Sequence, residues 1–217
     1  MAIYHFSVKV ISRAAGSSAV ASAAYRSAER LHDQRLDRHH DFTNKSGVVH
    51  SEVLLPEGAP DHLSNRATLW NEVEATELRK DAQLCREIEF AIPRAMSQQQ
   101  GIELARDFVQ CEFVDRGMIA DLNVHWDVGA DGLAKPHAHV MLTMRSVDEN
   151  GFGAKQREWN ATSLLQDWRV RFCCNVKNYR TKCGLFRFNS NLSIRITIDP
   201  NLTNEHYGRL NMAIDFA

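Results

Sequence analysis

Two apolar segments joined by a short, turn-rich connection restrict the fold of this chain more than any other feature. The segments are MIADLNVHWDV (118–128) and PHAHVMLTMRSV (136–147), and the connection is GADGLAK. Glycine and aspartate in so short a connection are typical of a β-hairpin, and both segments have the length and apolar content of strands. We therefore expect two neighbouring antiparallel strands within a sheet.

Three histidines lie in this predicted hairpin. His137 and His139 are one residue apart, so their side chains leave the same face of a strand, and His125 lies on the partner strand. If His125 faces the same way, three imidazoles converge across two neighbouring strands. Three histidines on rigid strands make a metal site with positions left for water or substrate. A His-x-His pair is a weak signal alone, but three histidines in fifteen residues favour a site over isolated core histidines.

The rest of the pattern alternates strands and helices in the order β-α-β-α-β-α-β-β-α. Predicted strands, besides the hairpin, cover residues 3–11, 48–56 and 85–93. Predicted helices cover residues 18–31, 61–78 (capped by Asp61), 97–117 (capped by Ser97 and closed by Gly117) and 162–179. The polar residues 32–47 are predicted as a loop, and residues 184–217 show only weak strand character around SIRITI (193–198).

Length and composition are those of a globular protein. The chain has 217 residues, of which 44% are hydrophobic and 24% charged, which fits one α/β domain or one domain with a tail. No apolar run approaches the ~20 residues that span a membrane, and the first residues lack the pattern of a signal peptide. The five cysteines are too irregular for a disulfide framework or a paired Cys-x-x-Cys zinc site. We therefore predict a cytoplasmic protein without membrane insertion.

Positive charge is concentrated in one part of the sequence, although the net charge is only −1. Residues 151–195 contain nine lysines and arginines and two acidic residues, whereas residues 1–150 contain 16 basic and 22 acidic residues. A basic segment on an acidic body fits a polyanion that contacts one side of the protein. The alternative is a solvated helix face, which is the commoner meaning of a charge run. Trp159 and Trp168 lie in this segment, where they could stack on bases or belong to the core.

Tyr25 and two glutamates are further candidate site residues. Tyr25 lies in the Ala- and Ser-rich predicted helix, and the residues around it favour a packing role with the hydroxyl at the surface. Glu87 and Glu89 share one face of the predicted strand that contains REIEF. Two carboxylates on an inner strand are costly unless they are paired, hydrogen-bonded or in a cleft, whereas on an edge strand they would face solvent. The residues alone leave both alternatives open for the glutamates.

Four segments in the same order resemble one known family, the MobA/MobL group of conjugative relaxases. This group, the Q class, includes TraA-type plasmid transfer proteins. The segments are SRAAGSSAVASAAYRSAERL, GVVHSEVLLPEGAP, LWNEVEATELRKDAQLCREIEFAIP and GMIADLNVHWD…KPHAHVMLTMR. The resemblance covers residues 1 to about 170 and is far more specific than His-x-His. The family belongs to the His-hydrophobe-His endonucleases, whose pattern here is His137-Ala138-His139, with a small residue at its centre.

The resemblance implies a fold, a nucleophile and a metal site. The implied fold is α+β, a central antiparallel β-sheet flanked by helices, with metal-binding histidines on a central strand. Tyr25 matches the nucleophile of the family, and Glu87 matches the carboxylate proposed to help deprotonate it. The metal ligands of the family are matched by His125, His137 and His139. The expected cofactor is a divalent ion, Mn²⁺ or Mg²⁺, although imidazole suits Mn²⁺, Zn²⁺, Ni²⁺ or Cu²⁺ better than Mg²⁺, and no small-molecule cofactor is expected.

The resemblance also implies a reaction and its partners. The tyrosine oxygen attacks a phosphodiester of single-stranded DNA at a plasmid transfer origin, which gives a 5′-phosphotyrosine and a free 3′-hydroxyl. A phenol needs activation at neutral pH, by a base such as Glu87 or by a nearby cation. Expected partners are the origin DNA and accessory relaxosome proteins. The relaxase domain is expected to cover residues 1–183, with residues 184–217 as a C-terminal tail, and truncation before a further domain is one alternative for this end of the chain.

Other function classes share some of these features. A rolling-circle replication initiator or a transposase of the same superfamily would carry the same tyrosine and His-x-His pair. A DNA-binding or metal-binding module without catalysis would use Tyr25 only for packing. A cupin-like metalloenzyme is disfavoured, because long predicted helices separate the strands.

Overall fold

The computed structural model describes residues 2–182 and 210–214, and within them the chain forms ten strands and four α-helices. The strands are β1 (Ala2–Ser12), β2 (Arg30–Asp33), β3 (Arg38–Asp41), β4 (Val48–Leu54), β5 (Gln83–Ala91), β6 (Ala120–Val128), β7 (Ala134–Leu142), β8 (Arg145–Asp148), β9 (Gly151–Lys155) and β10 (Leu210–Ile214). The helices are α1 (Ala19–Ser27), α2 (Arg66–Thr76), α3 (Gln98–Glu112) and α4 (Thr162–Lys182). The weak strand predicted around 193–198 lies outside the described residues.

One antiparallel sheet organises the fold. Its strand order among the described residues is β10-β1-β5-β7-β6-β4, and every neighbouring pair is antiparallel. The histidine-bearing strand β7 lies between β5 and β6, so the predicted hairpin is at the centre of the sheet. The predicted α+β class, a central antiparallel sheet flanked by helices, is confirmed.

The face of the sheet that carries Val140 is covered by α3 and α4. Its largest core side chains form an aromatic cluster, in which Phe172 lies 4.5 Å from Phe90 and 5.0 Å from Phe108 between ring centroids. Trp168 belongs to the same core and is 1% exposed. This tryptophan therefore packs in the core, which decides between the two alternatives left open by the sequence.

The opposite face is covered only in part. Helices α1 and α2 pack over one end of it, where Trp70 and Met141 are fully buried. Helix α1 approaches closely because Ala19, Ala23 and Ala24, all fully buried, present no bulk. At the other end of this face, β1, β5, β6 and β7 carry polar side chains, and the candidate site is there.

Helix α1 begins at Ser18, whose side chain accepts a hydrogen bond from the backbone of Ala21, but it ends earlier than predicted. Ala28 adopts a left-handed conformation with φ of 58° and closes the helix. The following residues form the hairpin β2–β3, so the helix predicted to Leu31 and the loop predicted over 32–47 are wrong in this part. The prediction failed because this strand is mostly polar. Its alternation is visible only in the burial of Leu31 and Asp33, whose neighbours are not buried.

The other helices follow local capping signals with small shifts. Helix α2 begins after Asn65, whose side chain accepts from the Thr68 backbone at 3.0 Å, so the predicted cap at Asp61 is wrong and that residue starts a short 3-10 turn. Helix α3 is capped by the predicted Ser97, and Gln100 completes a capping box. It ends at Glu112, so the predicted closure by Gly117 is wrong, and Gly117 instead ends the short 3-10 turn Val114–Arg116. No helix within the described residues is long and apolar enough to cross a membrane.

Candidate active site

The register between β6 and β7 brings three histidines together. His125 pairs directly with His137, and Asn123 pairs with His139, so all three imidazoles leave the same face of the sheet. Their ring centroids are 5.0 to 5.1 Å apart, and one nitrogen of each ring lies within 4.8 Å of the others. The predicted convergence of the three rings is therefore present in the fold.

Hydrogen bonds determine which nitrogens of His137 and His139 can bind a metal. His137 Nδ1 lies 2.8 Å from the carbonyl oxygen of Lys135, and His139 Nδ1 lies 2.8 Å from Glu87 Oε1. Carbonyl and carboxylate oxygens only accept, so both Nδ1 atoms carry the proton. In the neutral rings, Nε2 of each histidine then has a lone pair for a metal ion.

His125 is oriented differently, because its Nε2 donates to the carbonyl oxygen of Arg26 at 2.8 Å. Its Nδ1 is the atom left with a lone pair. Burial lowers the pKa of His125 to about 4, and the positive charge of Lys45 contributes to the same shift. The ring is thus neutral near pH 7, as a metal ligand must be.

The donor set fits a divalent metal ion. Three imidazole nitrogens on two rigid strands are a common protein ligand set, and they leave coordination positions for other oxygens. Glu87 supplies the carboxylate-to-histidine hydrogen bond that typically fixes the tautomer and the ring orientation of a ligand.

Glu87 is almost fully buried and surrounded by donors. Arg26 binds both of its oxygens, from Nε at 2.5 Å and Nη2 at 3.0 Å, and Lys9 Nζ lies 3.1 Å away. Burial alone would raise the pKa of Glu87, but hydrogen bonds from His139 and Arg26 and the nearby positive charges lower it far below its ordinary value. The carboxylate is therefore ionised and committed to three partners.

Glu89 lies on the same face, opposite His139 in the register of β5 and β7. Its Oε1 lies 3.4 Å from His5 Nε2. The hydrogen bond from His5 lowers the pKa of Glu89 to about 2, against the opposing effect of burial. Glu89 adds negative charge beside the histidines and makes no described hydrogen bond to any of the three.

Tyr25 lies on α1 beside this cluster, and its side chain is 43% exposed. Its ring meets Phe42 edge-on at 5.2 Å between centroids. Two cations lie against the ring, with Lys45 Nζ 4.1 Å and the Arg26 guanidinium carbon 4.9 Å from its centroid. Arg26, which follows Tyr25, accepts a hydrogen bond from His125 through its carbonyl oxygen and donates one from its side chain to Glu87.

Two lysines at the site were not identified from the sequence. For Lys9 a signal was available, because HFSVKV alternates and places His5 and Lys9 on one face of β1, and Lys9 lies opposite Glu87 in the register of β1 and β5. For Lys45 the sequence contains no such signal, since it lies in the connection between β3 and β4.

The described part of the basic segment extends away from the histidines. Lys155 lies 3.1 Å from Glu77 and donates to the carbonyl oxygen of Gln83. Gln83 is six residues along β5 from Glu89, which corresponds to about 20 Å at 3.3 Å per residue. Arg171 is also bound to a carboxylate, Glu112, at 3.5 Å. Part of the predicted basic surface is thus neutralised by acidic residues of the body.

The sequence profile and the relatives that match this chain agree on one family. The sequence profile described as the MobA/MobL family matches residues 17–185. The conjugal transfer protein TraA of Agrobacterium fabrum is 41% identical over 166 residues, which cover 72% of this chain and 15% of that protein. The mobilization protein MobL of Acidithiobacillus ferridurans is 44% identical over 125 residues, covering 58% of this chain and 32% of that protein. The chain thus spans about 15% of the length of the TraA relatives.

Two solved structures share the fold. One, described as the molecular basis of vancomycin resistance transfer in Staphylococcus aureus, has a TM-score of 0.77 and 36% identity and covers 84% of this chain and 95% of that chain. The metal-bound structure of conjugative relaxase TrwC in complex with oriT DNA has a TM-score of 0.51 and 12% identity, with 88% and 72% covered. At 12% identity, the likeness to TrwC concerns the fold alone.

Proposed function

Because the chain belongs to the MobA/MobL family, we propose that it contains a conjugative relaxase domain that nicks single-stranded DNA at a plasmid transfer origin. The observation that carries this proposal is the convergence of three imidazoles beside the helix that bears Tyr25. Convergent histidines and an exposed tyrosine beside two cations suit the transfer of a phosphoryl group to a phenol oxygen.

In the proposed reaction the Tyr25 oxygen attacks the phosphorus of one phosphodiester. A bond forms between this oxygen and phosphorus, and the bond from phosphorus to the 3′-oxygen breaks. The phenol loses its proton, and the released 3′-oxygen gains one and becomes a hydroxyl. The 5′-phosphotyrosine retains a phosphoester bond, so attack by a 3′-hydroxyl can later rejoin the strand.

His125, His137 and His139 would hold the divalent ion, and we favour Mn²⁺ over Mg²⁺ because Mg²⁺ is a hard cation that prefers oxygen ligands, whereas Mn²⁺ belongs to the transition-metal series that binds nitrogen ligands. When bound, the ion would stabilise negative charge on the phosphate oxygens during the transfer. The contribution of the chain is to aim three imidazole rings at one point, and burial lowers the pKa of two of them, His125 and His139. Glu87 fixes His139 for this purpose, and Arg26 does the same for His125.

Two roles have to be distinguished for Glu87: accepting the tyrosine proton and orienting the groups of the site. The resemblance suggests that it helps to remove the tyrosine proton, and this remains a prediction. Its strongly lowered pKa makes it a weak proton acceptor near pH 7, and its oxygens are bound to Arg26, Lys9 and His139. We therefore propose that Glu87 mainly orients the site.

We further propose that the protein acts in the cytoplasm on origin DNA, together with accessory relaxosome proteins. A replication initiator or transposase of the same superfamily would use the same chemistry on a different DNA site. A comparison of DNA from the transfer origin with DNA from a replication origin separates these functions.

A covalent-adduct assay tests the proposal. Wild-type protein is incubated with labelled single-stranded origin DNA and Mn²⁺, and denaturing gels are examined for a protein–DNA adduct. We expect an adduct with the wild type and none with Tyr25→Phe, which should bind the DNA equally well. Tyr179→Phe, in which the removed hydroxyl donates to Glu103 on α3, is the matched control and should react normally. Wild-type protein that binds DNA without forming an adduct would indicate a non-catalytic module, and an adduct with Tyr25→Phe would identify another nucleophile.

A further inference from the structure

We propose that Lys45 is a catalytic residue of this site, whose ammonium group contacts the phosphate that Tyr25 attacks. This inference rests on the proposed function, because it takes Tyr25 as the nucleophile. It adds a protein cation to the three-histidine centre, on a loop that none of the sequence motifs covers.

The first support is the position of Lys45 relative to Tyr25. Its Nζ lies 4.1 Å from the centroid of the Tyr25 ring and donates to the Tyr25 carbonyl oxygen at 3.0 Å. The hydroxyl of a tyrosine is on the rim of its ring, so a cation over the ring face is close to any phosphate that bonds to this oxygen. An ammonium has three N–H donors, and the carbonyl of Tyr25 takes one of them.

The second support is that the loop bearing Lys45 is fixed at the site. The backbone N–H of Lys45 donates to the carbonyl oxygen of Phe42 at 2.9 Å, and that of Trp126 donates to the carbonyl oxygen of Gly47 at 2.7 Å. Gly47 has φ of 94°, and a Cβ atom there would come within 1.9 Å of Asp127 Oδ1. The loop is thus bonded to β6 next to His125, and its close approach requires glycine.

The third support is the charge around Lys45. Three other lysines lie near carboxylates: Lys9 is 3.1 Å from Glu87, Lys135 is 3.9 Å from Asp131 and Lys155 is 3.1 Å from Glu77. Within residues 2–182 and 210–214, no ion pair within 4.0 Å joins Lys45 to a carboxylate. Burial lowers the pKa of Lys45, and the Arg26 charge adds to this effect, which more distant carboxylates partly offset. A phosphate would supply the negative charge that this cation lacks nearby.

The neighbouring cation is less suited to this role. Arg26 also lies against the Tyr25 ring, but its Nε and Nη2 both bind Glu87. Breaking that pair would leave a buried carboxylate without its main partner, which is costly. Lys45 can turn toward a phosphate by giving up at most one hydrogen bond to a backbone carbonyl.

The test compares three variants in single-turnover adduct formation at saturating origin DNA and Mn²⁺. Lys45→Met keeps the length of the side chain and removes its charge, Lys45→Arg keeps the charge, and Lys80→Met removes an exposed lysine from the turn before β5. We expect Lys45→Met to slow the reaction about 10²–10³-fold, the usual loss for one group that stabilises transition-state charge. Lys45→Arg should recover much of the rate, and Lys80→Met should react normally.

A second measurement separates phosphate contact from support of the loop. The scissile phosphate is replaced by each diastereomer of a methylphosphonate, which removes one charged oxygen at a time. If Lys45 contacts one of these oxygens, the rate penalty for one diastereomer should be smaller in Lys45→Met than in the wild type. Equal penalties in both proteins for both diastereomers would overturn the proposal, since that pattern indicates a structural role.

The outcomes distinguish this inference from the proposed function. A wild-type rate for Lys45→Met, with Tyr25→Phe inactive, overturns the role of Lys45 and leaves the relaxase proposal intact. The absence of an adduct with wild-type protein, or its presence with Tyr25→Phe, overturns both.

Discussion

His125 donates a hydrogen bond from Nε2 to the backbone carbonyl of Arg26, 2.8 Å away and 99 positions earlier in the chain. Arg26 follows Tyr25 directly, and its guanidinium binds Glu87, which accepts from His139. The helix that carries the proposed nucleophile is therefore hydrogen-bonded directly to one proposed metal ligand, His125, and is linked to a second, His139, through Glu87. A substitution of one of these groups should therefore change the orientation of the others.

Glu87→Gln should lower the affinity for Mn²⁺ about 10–100-fold, because carboxylates behind histidine ligands typically contribute that much. Adduct formation should slow, while single-strand DNA affinity should remain nearly unchanged. Isothermal titration calorimetry with Mn²⁺ measures the first effect. Glu89→Gln is the matched control, since Glu89 bonds to His5, and its metal affinity should change much less. Slow cleavage by Glu87→Gln at unchanged metal affinity would instead favour the proton-accepting role.

Asp121→Ala should destabilise the fold by about 3–5 kcal/mol, because it removes the main charge partner of the buried Arg66 guanidinium. Asp121 is fully buried and accepts hydrogen bonds from Arg66, Trp70 and Asn123. Chemical denaturation measures the free energy of unfolding. The control is Asp81→Ala, which breaks an exposed pair with Arg79 and should change the free energy of unfolding far less, because solvent screens exposed ion pairs. Similar decreases in the free energy of unfolding for the two variants would contradict the larger contribution expected from the buried hydrogen bonds of Asp121.

The stability of the metal-free protein should fall as the pH drops from about 6.5 to about 4. Burial holds the pKa of folded His125 at about 4, against 6.5 for an ordinary histidine. In this window the unfolded chain binds a proton that the folded chain does not, so the free energy of unfolding decreases as the pH falls. His139, whose pKa burial also lowers, acts in the same direction. Urea denaturation at several pH values in EDTA should show a weaker dependence for His125→Gln, and an unchanged slope would contradict the assignment.

Neutralising exposed basic residues should reveal how much of the segment after residue 150 contacts DNA. Arg157 is exposed at the start of a short 3-10 turn, whereas Arg171 is bound to Glu112. Arg157→Gln should lower the slope of log affinity against log salt for single-stranded DNA by roughly 0.7, the value for one lost phosphate contact. Arg171→Gln should change the slope less, because Glu112 already neutralises this arginine. Equal and unchanged slopes would mean that the DNA follows another path.

The central hairpin and its histidines could be predicted from the sequence because both are local features. A short turn fixes the pairing of β6 and β7, and the two-residue period of a strand then fixes which side chains share a face. The same period explains why Glu87 and Glu89 face the histidines. The resemblance to the MobA/MobL relaxases added Tyr25, for which the local residues indicated only packing.

Local patterns were less informative where polar residues form structure. The hairpin β2–β3 was expected to be a loop, because RLHD and RHHD carry only one apolar residue. Its burial comes from Leu31 against α1 and α2, and from Asp33, which accepts from Ser18 at 2.6 Å. The packing of this hairpin against a helix overrides its weak strand propensity.

The sequence by itself determined which side chains the sheet presents on each face, because strand alternation depends only on neighbouring residues. The tertiary structure alone decided what those side chains are bonded to and in which ionisation state they are held. Glu87 meets Arg26 across 61 positions and His139 across 52, and Lys45 reaches the Tyr25 carbonyl across 20. These contacts arise when α1 and the loop before β4 pack beside the sheet. Burial and opposite charges at such distances set the pKa of each group, and neither can be obtained from local sequence.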